Sequence, residues 1–354
     1  MPSLFDPIRI GDIDLPNRVI MAPLTRLRAG DTHIPNAVMA EYYAQRASAG
    51  LIISEAVPVT PQGVGYQGVP GIWTLEQAHG WKQVTRAVHA SGGRIYMQLW
   101  HVGRISDPSF HNGRPPVAPS AIAAKGNVSL LRPERPYPTP RALELDELPG
   151  VIEAYRQGAE YAQAAGFDGV EIHGANGYLL DQFLQDGSNI RTDAYGGRIE
   201  NRARLMLEVT DAVISVWGRD RVGMHLAPRA DAQSMGDSNL AATFGHVVKE
   251  LDKKGIAFIC AREHVGPDSL GPQLRKTFSG VYIANEGFTG DSAQTALKAG
   301  TADAVAFGKA FIANPDLPLR LRTGAPLNDL VPATIYAPDA RGYTDYPALS
   351  VSAA

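Results

Sequence analysis

What most restricts this chain is one alternation carried along its length. A short, nearly unbroken apolar run is followed by a segment of helical period, eight times over. The runs are 18–24, 50–56, 94–101, 168–173, 221–226, 256–262, 280–285 and 302–308. Strands buried on both faces read this way because helices cover both sides of a parallel sheet. The helical patterns lie over 36–48, 75–90, 147–165, about 198–217, 240–254, a short stretch after 262, 290–299 and turns to about 322. In the fourth, Ile199, Ala203, Met206, Val209, Val213 and Trp217 share one face at helical spacing. Eight βα units without an intervening linker predict an α/β fold, a closed (β/α)8 TIM barrel, rather than an open sheet or two domains.

The chain has 354 residues, against ~250 for a minimal barrel. The excess falls in two places. Residues 102–146, rich in proline from Pro108 to Pro140, follow strand 3 and are expected to cover the site, since so long a loop in a barrel is usually functional. The tail 323–354 carries Tyr336, Tyr343 and Tyr346 and is expected to pack over the barrel or against a neighbour. The expectation is a single domain over 1–354.

Charge and cysteine content narrow the partners. Lys and Arg total 33 against 36 Asp and Glu, a formal charge of -3, which speaks against nucleic acid. The lone Cys260 cannot form an internal disulfide and fits a reducing, cytoplasmic setting. Met1-Pro-Ser-Leu-Phe-Asp-Pro7 has no leader pattern, and no apolar stretch reaches the ~18 residues that span a bilayer, so no membrane role is expected.

Barrel enzymes carry their chemistry at the C-terminal ends of the strands. Here those ends offer Thr25, Ala56, Gln98 with His101, His173 with Asn176 and Tyr178, His225, Arg262, Asn285 and Lys309. Any one of them can simply be a satisfied polar group at a strand end. Together they converge. Histidines without a carboxylate at ligand spacing predict no metal centre, and no G-x-S-x-G elbow is present. Gly63-Val-Gly65-Tyr-Gln-Gly68 has the dinucleotide spacing, but Val69-Pro70-Gly71 follows where a helix should open, so it reads as a turn-rich loop. Phosphate is better placed at the loops after strands 7 and 8, Asn285-Glu-Gly287 and Gly308-Lys309, where bare backbone and a cation coincide. Routine turn geometry explains the same glycines.

Several motifs in order resemble the Old Yellow Enzyme family of flavin-dependent ene-reductases, over essentially the whole chain. They are Leu4-Phe-Asp-Pro7, Asn17-Arg18, Met21-Ala-Pro-Leu-Thr25, Gln98-Leu-Trp-His101, Gly166-Phe-Asp-Gly-Val-Glu-Ile-His173, Thr192-Asp-Ala-Tyr-Gly-Gly197 and Glu200-Asn-Arg202. The run from Phe307 to Leu317 and Gly342-Tyr-Thr-Asp-Tyr-Pro347 complete the set. The resemblance implies tightly held, non-covalent FMN contacted by Pro23, Leu24, Thr25, Ala56, Gln98 and His225, with its phosphate at Asn285, Gly287, Gly308 and Lys309. It implies that His173 and Asn176 receive a carbonyl or nitro oxygen, that Tyr178 donates the proton, and that Trp100, Tyr66 and Tyr336 wall the pocket. The implied reaction is ping-pong: NAD(P)H delivers hydride to FMN, and FMN N5 passes it to the β-carbon of an activated alkene. A nicotinamide that visits and leaves needs no dinucleotide fingerprint.

Two positions depart from the family pattern. His225 stands where an arginine is usual, and Lys309 replaces the usual phosphate arginine, keeping the charge but losing the bidentate fork. At ~4 Å and an effective dielectric of ~20, a cation beside the flavin N1 is worth at most about 4 kcal/mol. Either a protonated His225 or Arg229, four residues along, would restore it, or His225 acts as a neutral donor. A flavin-free barrel lyase or isomerase, and a non-catalytic ligand-binding protein, are the competing readings.

Overall fold

The computed structural model describes residues 2–229 and 232–349. Eight parallel strands close a barrel: β1 Val19–Met21, β2 Leu51–Pro58, β3 Ile95–Trp100, β4 Gly169–His173, β5 Val222–Leu226, β6 Phe258–Arg262, β7 Val281–Asn285 and β8 Ala304–Phe307. Each pairs with the next in sequence, and β8 closes on β1 through Val305 opposite Val19 and Phe307 opposite Met21. The expected (β/α)8 fold is the one observed. Outer helices follow the predicted spans closely, among them Leu75–Ala90, Leu148–Ala164, Ile199–Trp217, Leu240–Lys254 and Gly290–Ala299. Among the described residues, no helix is long and apolar enough to cross a membrane.

Local chemistry sets these boundaries. Thr74 and Gln77 form a reciprocal capping box that starts Leu75–Ala90. Gly255 and Gly300 end their helices in the left-handed conformation that glycine adopts without steric cost. The barrel floor is sealed by the hairpin Ile8–Ile10 with Ile13–Leu15, whose apolar side chains pack on Ile20, Tyr96, Phe258 and Ile283.

Residues 102–146 do form a cover after β3. Val117–Ala118 pairs with Arg141–Ala142, and Val102, Ile105, Ala124, Val128 and Tyr137 are buried in one cluster with Ala56, Tyr66, Val69 and Trp100. Gly65, in the glycine-rich loop, lies under this cover: a Cβ there would sit 2.4 Å from the Ile105 carbonyl oxygen. That close approach, rather than a dinucleotide, accounts for the glycine.

The described part of the tail, 323–349, packs on its own barrel, and 350–354 lie outside the described residues. Tyr343 is fully buried and stacks on Tyr42 at 3.9 Å with 6° between the planes. Arg26 donates to the carbonyls of Ile335 and Gly342, and Arg28 to those of Thr334, Ile335, Asp339 and Arg341. Both guanidinium groups also lie over the Tyr343 ring. The Tyr343 hydroxyl has no partner among the described residues, so packing, not the hydroxyl, holds the ring. Tyr343→Ala should cost about 3 kcal/mol or more in urea unfolding, while Tyr343→Phe leaves the midpoint unchanged or slightly raised. Equal losses in the two variants would contradict this account.

Candidate active site

The loop leaving β1 carries Pro23, Leu24 and Thr25, all half-buried. Its path is set by Glu55 on β2. The Glu55 carboxylate accepts the backbone N–H groups of Arg26 at 3.0 Å and Leu27 at 3.3 Å, and the Tyr43 hydroxyl at 3.2 Å. Burial raises this carboxyl, against those donors. A register shift in β2 between Ile53 and Ala56 brings Ala56 opposite Gln98. The Ser54 hydroxyl fills the irregularity by accepting the Gln98 N–H at 3.1 Å.

Inside the barrel, Glu171 on β4 orients its neighbours. A carboxylate only accepts, so Gln98 must turn its amide NH2 toward it, at 2.7 Å. The same NH2 lies 3.2 Å from His225 Nδ1, which is thereby an acceptor and leaves the ring proton on Nε2. Among the described residues that buried Nε2 has no partner, and neither has Glu171 Oε1. Gln98 Oε1 accepts no hydrogen bond from the described residues. Arg229 does not supply a charge beside His225. Strand β5 ends at Leu226, so positions 225 and 229 share no strand face, and Arg229 pairs with Glu263 at 2.6 Å and with Asp268.

Glu171, His225 and Cys260 bring potential ligand atoms within 4.8 Å of one another. Spacing in the sequence concealed this trio, because its members come from three successive strands. Burial and the Glu171 charge push the Cys260 thiol well up, and the imidazole and carboxylate already meet Gln98.

At the mouth, Tyr66, Trp100, His173 and His225 form a row of near-parallel rings, with centroid spacings of 5.6, 6.1 and 5.4 Å. Tyr178 stands edge-on to Trp100 at 4.8 Å and to His173 at 5.0 Å. His173 Nδ1 accepts the Ala175 N–H at 3.3 Å, so Nε2 carries the proton. Burial, then the nearby His225 and Arg262, hold its pKa well below the usual histidine value. Asn176 and Gly177 both adopt left-handed backbone, φ 59 and 76. Asparagine tolerates this, and a Cβ on Gly177 would meet Gln233 at 2.7 Å. Asp181 fastens the turn by accepting the Gly177 N–H at 2.9 Å. The turn delivers Tyr178 to Tyr66, hydroxyl to hydroxyl, at 3.0 Å. Burial raises both phenols, Tyr66 to about 12, so Tyr178 keeps its proton at neutral pH.

The remaining predicted residues are spread around this centre. Asn285 donates to the Ala306 carbonyl at 2.8 Å and so ties β7 to β8. Gly287 and Lys309 are exposed, and Gly308 begins the short helix Lys309–Ala313. Tyr336 is 47% exposed and lines a cavity of about 660 Å³ between the β1 loop, the cover and the tail. Another cavity, of about 530 Å³, lies between β6, β7 and helix Gly290–Ala299, away from His173 and Tyr178. His101 is structural: its Nδ1 accepts the Gly103 N–H at 3.0 Å. Strand ends alone do not point to Glu171, although a carboxylate within the apolar run Gly169–His173 is itself a signal of an internal partner.

These groups fit a flavin mononucleotide. Its pyrimidine edge needs both donors and acceptors, and the unpartnered His225 Nε2 and free Gln98 Oε1 supply one of each. Bare backbone at Gly287 and Gly308 beside Lys309 suits a phosphate.

Comparison with known proteins agrees. Residues 3–328 match the NADH:flavin oxidoreductase / NADH oxidase family. The chain is 42% identical to a probable flavin mononucleotide-dependent alkene reductase of Leishmania infantum, over 97% of both chains. Among solved structures it is similar to morphinone reductase in complex with tetrahydroNAD, with 49% identity, a TM-score of 0.96, and 100% and 99% of the two chains covered. An old yellow enzyme homologue from Zymomonas mobilis is 46% identical with a TM-score of 0.96, over 98% of this chain and 100% of that one.

Buried neutral histidines make stability depend on pH. Burial drives His101 down to about 3 and His173 well below 6.5. Below pH 6.5 the unfolded chain binds protons that the folded chain refuses, so stability falls as pH falls, by about 1.4 kcal/mol per pH unit for each such group. Asp181, raised by burial to about 6, acts in the opposite sense between 6 and its unfolded value. His101→Gln should flatten the fall in denaturant stability between pH 6.5 and 5 by about 1.4 kcal/mol per unit. Parallel slopes for variant and parent would mean that His101 titrates normally.

Proposed function

The chain belongs to the NADH:flavin oxidoreductase / NADH oxidase family, that of Old Yellow Enzyme, and we propose how its residues carry out the reaction. The protein is an FMN-dependent ene-reductase that uses NAD(P)H to reduce activated carbon–carbon double bonds. The reading of the site rests on one observation: neutral His173 stands edge-on to the neutral phenol of Tyr178 at 5.0 Å, on the turn that also carries Asn176.

When bound, FMN supplies the two-electron carrier that accepts and releases hydride at N5. Gln98, His225, Thr25, Pro23, Leu24 and Ala56 would hold its ring system, and Asn285, Gly287, Gly308 and Lys309 its phosphate. His173 Nε2–H and Asn176 Nδ2–H donate to a substrate carbonyl or nitro oxygen. Negative charge develops on that oxygen as the β-carbon takes hydride, and preformed donors in a dry site stabilise it strongly. Tyr178 then gives its phenolic proton to the α-carbon, and its hydrogen bond to Tyr66 keeps the hydroxyl aimed. Trp100, Tyr66 and Tyr336 wall the pocket, and the 102–146 cover sheds water from it. Enones, enals, maleimides and nitroalkenes are the substrate class. The whole chain acts as one FMN-binding domain, and its single buried thiol suits the cytoplasm.

The purified protein should be yellow, bleach under anaerobic NADH or NADPH, and recover its colour with 2-cyclohexenone. A colourless protein that FMN cannot reconstitute would end the proposal. Tyr178→Phe should slow the enone-dependent recovery by about 100-fold or more and leave bleaching by nicotinamide within a few-fold. An unchanged recovery rate would remove Tyr178 as the acid. His225→Arg places a fixed cation at the end of β5 and should raise the midpoint potential of the bound FMN; no shift would exclude position 225 from the site's electrostatics.

A further inference from the structure

Arg262 ends β6 and reaches across the mouth in two directions. Its Nη1 donates to Asn176 Oδ1 at 2.8 Å. Its Nε and Nη2 grip Glu286, at 2.8 Å to Oε2 and 3.0 Å to Oε1. Glu286 follows β7 with φ 92, a backbone conformation costly for a residue with a long side chain. His264 Nε2 also lies 3.3 Å from Glu286. The guanidinium is planar and its five N–H groups are fixed relative to one another. Once Nε and Nη2 are locked on the carboxylate, the direction of Nη1 is settled as well.

A guanidinium has no acceptor, so only the oxygen of the Asn176 amide can face it. The NH2 end must then point the other way, and it has no partner among the described residues. We propose that Arg262 is a positioning residue for specificity: braced on Glu286, it turns the Asn176 amide so that the pocket presents donors only. It acts through Asn176 and makes no contact with substrate itself. With His173 also donating from Nε2, both fixed groups favour a ligand that only accepts, such as a carbonyl or nitro oxygen. Between these two groups, a hydroxyl ligand finds an acceptor for its own proton only if the amide oxygen faces inward, and Arg262 forbids that rotation. Without Arg262 the amide turns freely, and the pocket takes ketone and alcohol alike.

This inference rests on the reading of Asn176 as a substrate donor, and the test separates the two. The oxidised FMN-loaded protein is titrated with cyclohexanone and with cyclohexanol, following the visible spectrum or the heat of binding. The parent should prefer the ketone. Arg262→Met should lower the ketone-to-alcohol preference by about tenfold, the value of one hydrogen bond, with FMN content unchanged. Arg262→Lys keeps a donor-only head but must choose between two sites, so it should retain an intermediate preference. In an Asn176→Ala background, Arg262→Met should have no further effect on the ratio. If Asn176→Ala alone leaves the ratio unchanged, the substrate-donor reading fails. If it lowers the ratio and Arg262→Met does not, or if the two losses simply add, the positioning role of Arg262 is overturned. Should Arg262→Met not fold, Arg262→Gln decides. Its amide can accept as well as donate, so it should lose preference as Met does, and full retention of the parent's ratio would refute the proposal.

Discussion

Closure of β8 onto β1 is the constraint from which the site follows. An open parallel sheet of these strands would leave its two edges unpaired and send the strand ends in a fan. The pairing of Val305 with Val19 and Phe307 with Met21 brings the ends of β3, β4, β5 and β6 around one axis. Gln98, Glu171, His173, His225 and Arg262 come from those four strands. None is near another in sequence except Glu171 and His173, two apart on one strand. Parallel register does the rest, setting His173 beside His225 and Gln98 beside Glu171.

Within that frame, polarity is transmitted by groups that can hydrogen-bond in only one sense. Glu171 accepts and never donates, so it decides how Gln98 lies and, through Gln98, which nitrogen of His225 holds the proton. Arg262 donates and never accepts, and it decides how Asn176 lies. Two amides that are free to flip in isolation therefore have defined orientations without touching a ligand. Such preorganisation matters because donors already aligned cost no reorganisation as charge develops.

Much of the fold was legible because a two-sided parallel strand writes itself as an apolar run and a covering helix as a 3.6-residue period. Strand ends followed from those runs, and with them the predicted set His173, Asn176, Tyr178 and His225. What stayed hidden were relations between residues far apart. Arg262 and Asn176 are 86 positions apart, and no local pattern signals their hydrogen bond. Arg229 would replace the missing cation only on a β5 that ran past Leu226, where the strand ends. Its salt partners Glu263 and Asp268 lie on the next loop, out of reach of any periodicity argument. The tyrosines in the tail were visible, but that Tyr343 packs inward depends on Tyr42, Arg26 and Arg28, about three hundred residues earlier.

The arginine clamp on the tail has a bearing on the order in which the molecule assembles. Arg26 and the Gly342 carbonyl it holds are 316 positions apart, so this contact closes nearly the largest loop the chain can form. Contacts of such separation repay their entropy only after the intervening barrel exists to hold the ends together. The loop that bears Thr25 thus has two anchors, Glu55 on the neighbouring strand and the tail carbonyl that Arg26 holds from far along the chain. Without the tail, the β1 loop would keep its anchor on the Glu55 carboxylate and lose its second one.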